Sequence, residues 1–194
     1  MIAFEVCSFY YCLLKWTKNE KTENSFSGHK ENGITALYIG LMLVSVFEAI
    51  GFHMLLISRN KNLALLLLAF HTYLLINLIG QLKAIIYRNH TILSQKIVLR
   101  YGLFETIEIP IHSILSIDKF EGDYEKSPEL LKCALLGKLE PHNISLELKD
   151  SQSFKLPFGI TKNSKKVLFY IDNANDFIEE TKLKIEEIQS LKNV

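Results

Sequence analysis

The sequence predicts an α+β protein with an N-terminal helix, a two-helix transmembrane hairpin, and a small β-barrel capped by a C-terminal helix. Three observations carry that expectation. Residues 34 to 58 and 63 to 86 are near-continuous apolar runs separated only by Arg59-Asn60-Lys61-Asn62. From His90 onward apolar and polar residues alternate with a period of two. The last twenty residues return to a helical period.

Composition fits such a division. A mean hydropathy of +0.15 beside 22% charged residues requires that apolar and charged residues be segregated along the chain. The formal net charge is +1, which offers neither a polycation for nucleic acid nor an acidic tail for a basic partner. Cys7, Cys12 and Cys133 form no CxxC pair and are odd in number, which fits a reducing compartment and argues against a disulfide framework.

The opening stretch, "MIAFEVCSFYYCLLKW", is apolar and aromatic but short for a membrane span. Tyr10, Tyr11 and Trp16 suit a helix lying among lipid headgroups. It lacks a basic leader and a small-x-small cleavage site, so no signal peptide is expected. A polar linker follows to residue 33, within which "FSGHK" (Phe26 to Lys30) is expected to touch the membrane surface.

Each of the two long runs supplies the ~20 residues a helix needs to cross ~30 Å of hydrocarbon. A soluble hairpin would need polar residues every third or fourth position, and "LALLLLAF" leaves no such face. Lys15, Lys18, Lys21 and Lys30 precede the hairpin, and Lys83, Arg88, Lys96 and Arg100 end or follow it. Only Arg59 and Lys61 lie in the connection. That bias expects both chain ends in the cytoplasm and residues 88 to 194 as a cytoplasmic domain.

In that domain "ILSQKIVLR", a turn at Tyr101-Gly102 and "FETIEIP" read as a hairpin ending at Pro110. "NISLELKD" and "SFKLPF" alternate cleanly, with Asp150-Ser151 read as the turn between them. "KKVLFYID" supplies a late strand, while residues 121 to 142 fit no strand pattern. The terminal helix carries Asp176 and Glu179 in a capping-box relation and a stripe of Phe177, Thr181, Ile185 and Ile188. Six or seven short strands with one closing helix suggest a small plugged barrel.

"ILSQKIVLRYGLFETIEIPIHSILSID" resembles the opening of bacterial PH-like domains, and "KKVLFYIDNANDFIEE" resembles their last strand and the start of their closing helix. The resemblance implies a PH-like barrel corked by Phe177. The preceding hairpin with "FEAIGFH" and "FSGHK" is similar to bacterial membrane proteins of this layout. It implies a fold and leaves the activity open, because such barrels host many functions.

Few residues invite chemistry. Folding the hairpin about its loop sets Glu48 level with Tyr73, Val44 with Asn77 and Gly40 with Gln81. Gly40, Val44, Glu48 and Gly51 share one helix face; Ala69, Tyr73, Asn77, Gly80 and Ala84 share one face of the other. Small and polar residues line membrane helix contacts, so Glu48, Tyr73 and Asn77 form the expected polar seam. An ionised carboxylate near the bilayer centre costs ~2.5–3.5 kcal/mol or more, so a protonated Glu48 bonded to Tyr73 is expected. Such a pair either fixes helix register or serves as a proton site or polar contact for a partner's span. His53 and His71 are the other intramembrane ionisable residues, and both lie off that seam.

From Arg88 onward, 15 Lys and Arg face 16 Asp and Glu, so no basic excess favours phosphoinositides or nucleic acid. The six histidines are dispersed without ligand spacing, and no P-loop, GxSxG or HExxH motif occurs. No metal, cofactor or catalytic residue is expected. The expected function is a non-enzymatic, membrane-anchored interaction or assembly module of a bacterial inner membrane, with an unknown protein partner and possible homo-oligomer formation. The alternative is an oligomeric transport or sensing activity built on Glu48.

Overall fold

The computed structural model describes residues 2–15, 24–103, 105–120, 122–125, 127–134, 137–156 and 159–192. Trp16 and Phe158, used in the sequence expectations, lie outside the described residues.

Helix α1 (Ile2–Phe9) runs on through a π-helical turn, Tyr10–Leu14. After the two-residue strand β1 (Ser25–Phe26) come α2 (Ile34–Leu56) and α3 (Lys61–Tyr87). The turn between them is capped by Asn60, whose side chain accepts the Leu63 N–H at 3.1 Å. Both helices are long and apolar enough to cross a membrane, at 23 and 27 residues. A core helix of a soluble protein passes the same test of length and composition. Here, however, only 11% and 17% of the most apolar stretches are buried, so the hydrophobic surface faces outward.

The domain contains two four-stranded sheets. The first orders β1, β2 (His90–Ile92), β3 (Lys96–Tyr101) and β4 (Glu105–Pro110), all antiparallel. A 3-10 turn, Ile111–Ser113, carries the chain to the second sheet. That sheet orders β5 (Ile114–Lys119), β7 (Ile144–Lys155), β8 (Thr161–Phe169) and β6 (Leu130–Lys132), with β6 parallel to β8. Alternation places Ile97, Leu99, Ile107 and Ile109 of one sheet and Ile117, Ile144, Leu146 and Val167 of the other in a common core.

Helix α4 (Ala174–Lys192) packs on β5 and the 3-10 turn. Phe177 is fully buried, its ring 5.1 Å from Phe26 of the first sheet and 5.7 Å from Phe169 of the second. The residue expected to cork the domain does lie between its two layers.

Several expectations change. A closed barrel is not found: among the described residues no ladder joins the two sheets, and the 3-10 segment carries the chain from β4 to β5. Asp150-Ser151 is no turn. Strand β7 continues through it, and the β7–β8 register shifts between Glu147 and Gln152, so a bulge absorbs the polar pair. The reversal comes between the end of β7 at Lys155 and the start of β8 at Thr161, and Leu156 N–H donates to Ile160 O at 2.7 Å. The 121–142 segment hides β6, three residues with too little length for a periodic signal. At α4, Asp176 receives a 3.5 Å bond from the Asn173 side chain, so it lies in the first turn instead of beginning the cap.

Candidate functional site

The α2–α3 hairpin uses two different faces of α3. One meets α2, in which Tyr38 and Ser45 are buried, as Ala64 and His71 are in α3. On this face Glu48 lies 3.9 Å from His71 Nε2, and the Phe52 ring lies 6.1 Å from the His71 ring. His71 Nδ1 is 2.8 Å from the Leu67 carbonyl one turn earlier. Glu48 therefore does not face Tyr73, as the helix wheel suggested. Residues 71 and 73 point about 200° apart on a helix, and His71 is the one turned toward α2.

The other face carries Tyr73, Asn77 and Gly80, and it receives α1. The Tyr73 side chain hydrogen-bonds Glu5, and Ser8 Oγ reaches the Asn77 carbonyl at 3.5 Å. Lys83 Nζ donates to the Cys12 carbonyl at 3.1 Å. These contacts advance together along both chains, so α1 runs alongside α3 in the same direction. A Cβ on Gly80 would lie 2.4 Å from Ser8 O, so only glycine lets the two backbones approach this closely. The small-residue rule thus found a true interface but assigned it the wrong partner. The facing glycines of α2 are not used: nothing lies within 4 Å of a Cβ placed on Gly40 or Gly51. The expected seam of Glu48, Tyr73 and Asn77 is two separate contacts. His53 is half-buried, and its Nδ1 has no hydrogen-bond partner among the described residues.

Below the hairpin, three ties hold it to the domain. The first is the β3–β4 turn, which rests on α3: Gln81 Oε1 accepts the Leu103 N–H at 2.9 Å. Gly102 has φ +55°, and a Cβ there would stand 2.2 Å from Gln81 Nε2. The second is Arg88, ending α3, which donates to the Gly102 carbonyl and, at 3.1 Å, to Thr106 Oγ1. The third is the linker. "FSGHK" binds the domain: β1 pairs with β2, and the backbone N–H groups of His29, Lys30 and Glu31 converge on the Asp172 carboxylate at 3.1–3.3 Å. Burial works against ionisation of Asp172, but the Ser27 hydroxyl and those three amides outweigh it and hold its carboxyl below the ordinary range.

His90 lies under this strap, 5% exposed. Its Nδ1 accepts the Arg100 N–H at 3.1 Å, and its ring stacks obliquely on Tyr101. Burial, then the Arg100 charge, push it down to about 4. Arg100 itself donates to Asn89 O at 2.7 Å and Thr91 Oγ1 at 3.0 Å, so a base flanking the first hairpin turn is engaged within the fold.

The domain surface carries open grooves. One of about 740 Å³ lies at the start of α4, lined by Lys119, His142, Asn143, Tyr170, Asp172 and Asp176 among others. A second, of about 530 Å³, is lined by Phe120, Tyr124, Glu147 and Lys166 among others. The ring cluster joining them stacks His142 on Phe120 at 5.5 Å and sets it edge-on to Tyr124 at 5.1 Å. Burial first, and then the Lys132 charge, hold His142 below the ordinary imidazole value against the pull of Gly122 and Asp123. Sequence reasoning missed this cluster because His142 is 18 residues from Tyr124 in a stretch without periodicity. It missed Glu5 because α1 was expected to lie flat. Among the described residues, no group of three or more His, Cys, Asp and Glu side chains is placed to hold a metal ion.

Comparison with family models, curated proteins and solved structures finds no match for the chain.

Proposed function

We propose that this chain is a bacterial inner-membrane protein with its C-terminal domain in the cytoplasm and α1 lying within the membrane beside α3. Its α2–α3 hairpin spans the bilayer, and a PH-like domain serves there as a non-enzymatic interaction or assembly module. The PH-like reading draws on two sheets closed by a helix whose Phe177 enters between them. The membrane reading draws on the outward-facing apolar surface of α2 and α3.

One observation carries the functional part. The polar groups around the junction (Gln81, Arg88 and Asp172) are spent on tying hairpin and linker to domain, while wide grooves on the domain stay open. That distribution suits a presented binding surface better than a reaction centre. Crosslinking and pull-down from membranes, with native mass determination, test it. A partner should be captured by the full chain, and still captured when the hairpin is exchanged for an unrelated one that retains Gln81 to Arg88. Loss of capture on that exchange would reject the anchor role.

A second reading has its own support. Glu48 and His71 stand 3.9 Å apart near the middle of two apolar helices, and the carboxyl is half-exposed on the outer surface. An ionisable pair in such a place is costly and suits proton-linked transport or sensing. Two helices make too small a path alone, so this reading requires an oligomer. Glu48→Gln should then abolish the activity while insertion and folding persist.

A further inference from the structure

We infer that Glu48 and His71 together form a one-proton site, holding one proton more than a carboxylate and a neutral imidazole would. This deepens the second reading and rests on its membrane placement. The argument begins at the far side of the ring. His71 Nδ1 is 2.8 Å from the Leu67 carbonyl, and a carbonyl can only accept, so Nδ1 carries the hydrogen. In the neutral ring Nε2 is then a bare lone pair, and it is this atom that faces Glu48 Oε2 at 3.9 Å. An ionised carboxylate opposite a lone pair would be two acceptors facing each other, with an uncompensated charge among apolar side chains. One proton removes both faults.

With that proton on Glu48, the acid O–H points at Nε2. With it on His71, the imidazolium N–H points at the carboxylate. Transfer breaks one O–H bond and forms one N–H bond, and the pair is electrically neutral in either state. The side chain of His71 is 8% exposed and that of Glu48 54%, so Glu48 is the member of the pair on the outer side of α2. The nearest other titratable groups have other places. Glu5 and Tyr73 bond each other on the α1 side, His53 lies five residues further along α2, and Lys83 is held by the Cys12 carbonyl.

Infrared and ¹⁵N-histidine spectra of the full chain in phosphatidylethanolamine–phosphatidylglycerol vesicles at neutral pH test the site. Two results support it: a protonated-carboxyl carbonyl band that Glu48→Gln removes, or a doubly protonated His71 ring that Glu48→Gln returns to the Nδ1-protonated form. An ionised Glu48 beside a singly protonated ring, or a ring protonated at Nε2 alone, overturns it. Where Glu48→Gln fails to insert, His71→Gln decides instead: it shifts the carboxyl band or ionises the acid if the proton is shared, and leaves the band in place if it is not. Changed spectra with unchanged biological activity leave the proton site standing and reject the sensing reading; unchanged spectra reject the site itself.

Discussion

Acidification should loosen the domain at His90, and the size of the effect follows from its surroundings. The ring is buried beneath the strap, with Arg100 close by and its Nδ1 already occupied by the Arg100 N–H. A proton added at Nδ1 would displace that bond and place a charge beside a guanidinium. The unfolded chain restores the ordinary value of 6.5, while the folded value is about 4. Between those two values the unfolded state binds the proton more readily, so stability rises with pH and is lost as pH falls from 6.5 toward 4. At ~1.4 kcal/mol per pH unit, the gap makes a loss of about 3 kcal/mol. Asp172 acts in a separate window. Its folded value is lowered, so its contribution is present above the ordinary carboxylate range and is lost only as pH falls through that lowered value. The assay is urea unfolding of the full chain in detergent at several pH values, for wild type and His90→Asn, whose Oδ1 can accept in place of Nδ1. The wild type should lose about 3 kcal/mol relative to the variant between pH 7 and pH 4. Parallel profiles for the two proteins would refute the reasoning.

Three further perturbations probe the contacts that hold the assembly together. Gly80→Val places side-chain atoms where Ser8 O now lies, 2.4 Å from the Cβ position, and should separate α1 from α3. Cysteine crosslinking between the two helices would lose its yield, while α2–α3 crosslinking persists. Gly102→Ala meets both a left-handed backbone, φ +55°, and the Gln81 side chain. The backbone alone costs about 1–2 kcal/mol, read as a lowered thermal midpoint of the domain, and an unchanged midpoint would refute the left-handed turn. Asp172→Asn removes the charge on which three amides converge. Hydrogen exchange at His29, Lys30 and Glu31 should quicken, with the core of β7 and β8 unaffected.

How far the sequence could be read depended on the length of its patterns. The two apolar runs and the β3–β4 hairpin extend over enough residues for their period to be unmistakable, and the structure has helices and strands there. Phe177 was legible because it recurs on a stripe that needs something to bury it. Helix partners were not legible. A wheel shows which residues share a face, but α3 has two occupied faces, and nothing in its own sequence says that the small one meets α1 while His71 meets α2. Knowing that Glu5 is an acid in an otherwise apolar helix could have raised the question, since Tyr73 is a natural hydrogen-bond partner for it. Asp150-Ser151 misled for the opposite reason: a polar pair is favourable in a turn and equally so in a solvent-facing bulge. The β6 strand is three residues long and pairs in parallel with β8, a contact that only tertiary structure brings about.

The manner of attachment bears on function more than any single side chain. An anchor needs only a flexible tether, yet here the hairpin base is seated against the domain through Gln81, Arg88 and the strap on Asp172. The orientation of the grooves relative to the hairpin is therefore fixed by these contacts. His71 and Gln81 lie on the same helix ten residues apart, about 15 Å at the helical rise, and Gln81 carries the β3–β4 turn. A change in how α2 packs at Glu48 would be felt by the element that positions the domain. Both readings of the protein thus converge on α3. As an assembly module it sets the angle at which the grooves are presented; with a proton site at its middle, it is also the element through which that angle would respond. Exchanging the hairpin while retaining Gln81 to Arg88 keeps the seat and removes the pair, so it separates presentation from response in one protein.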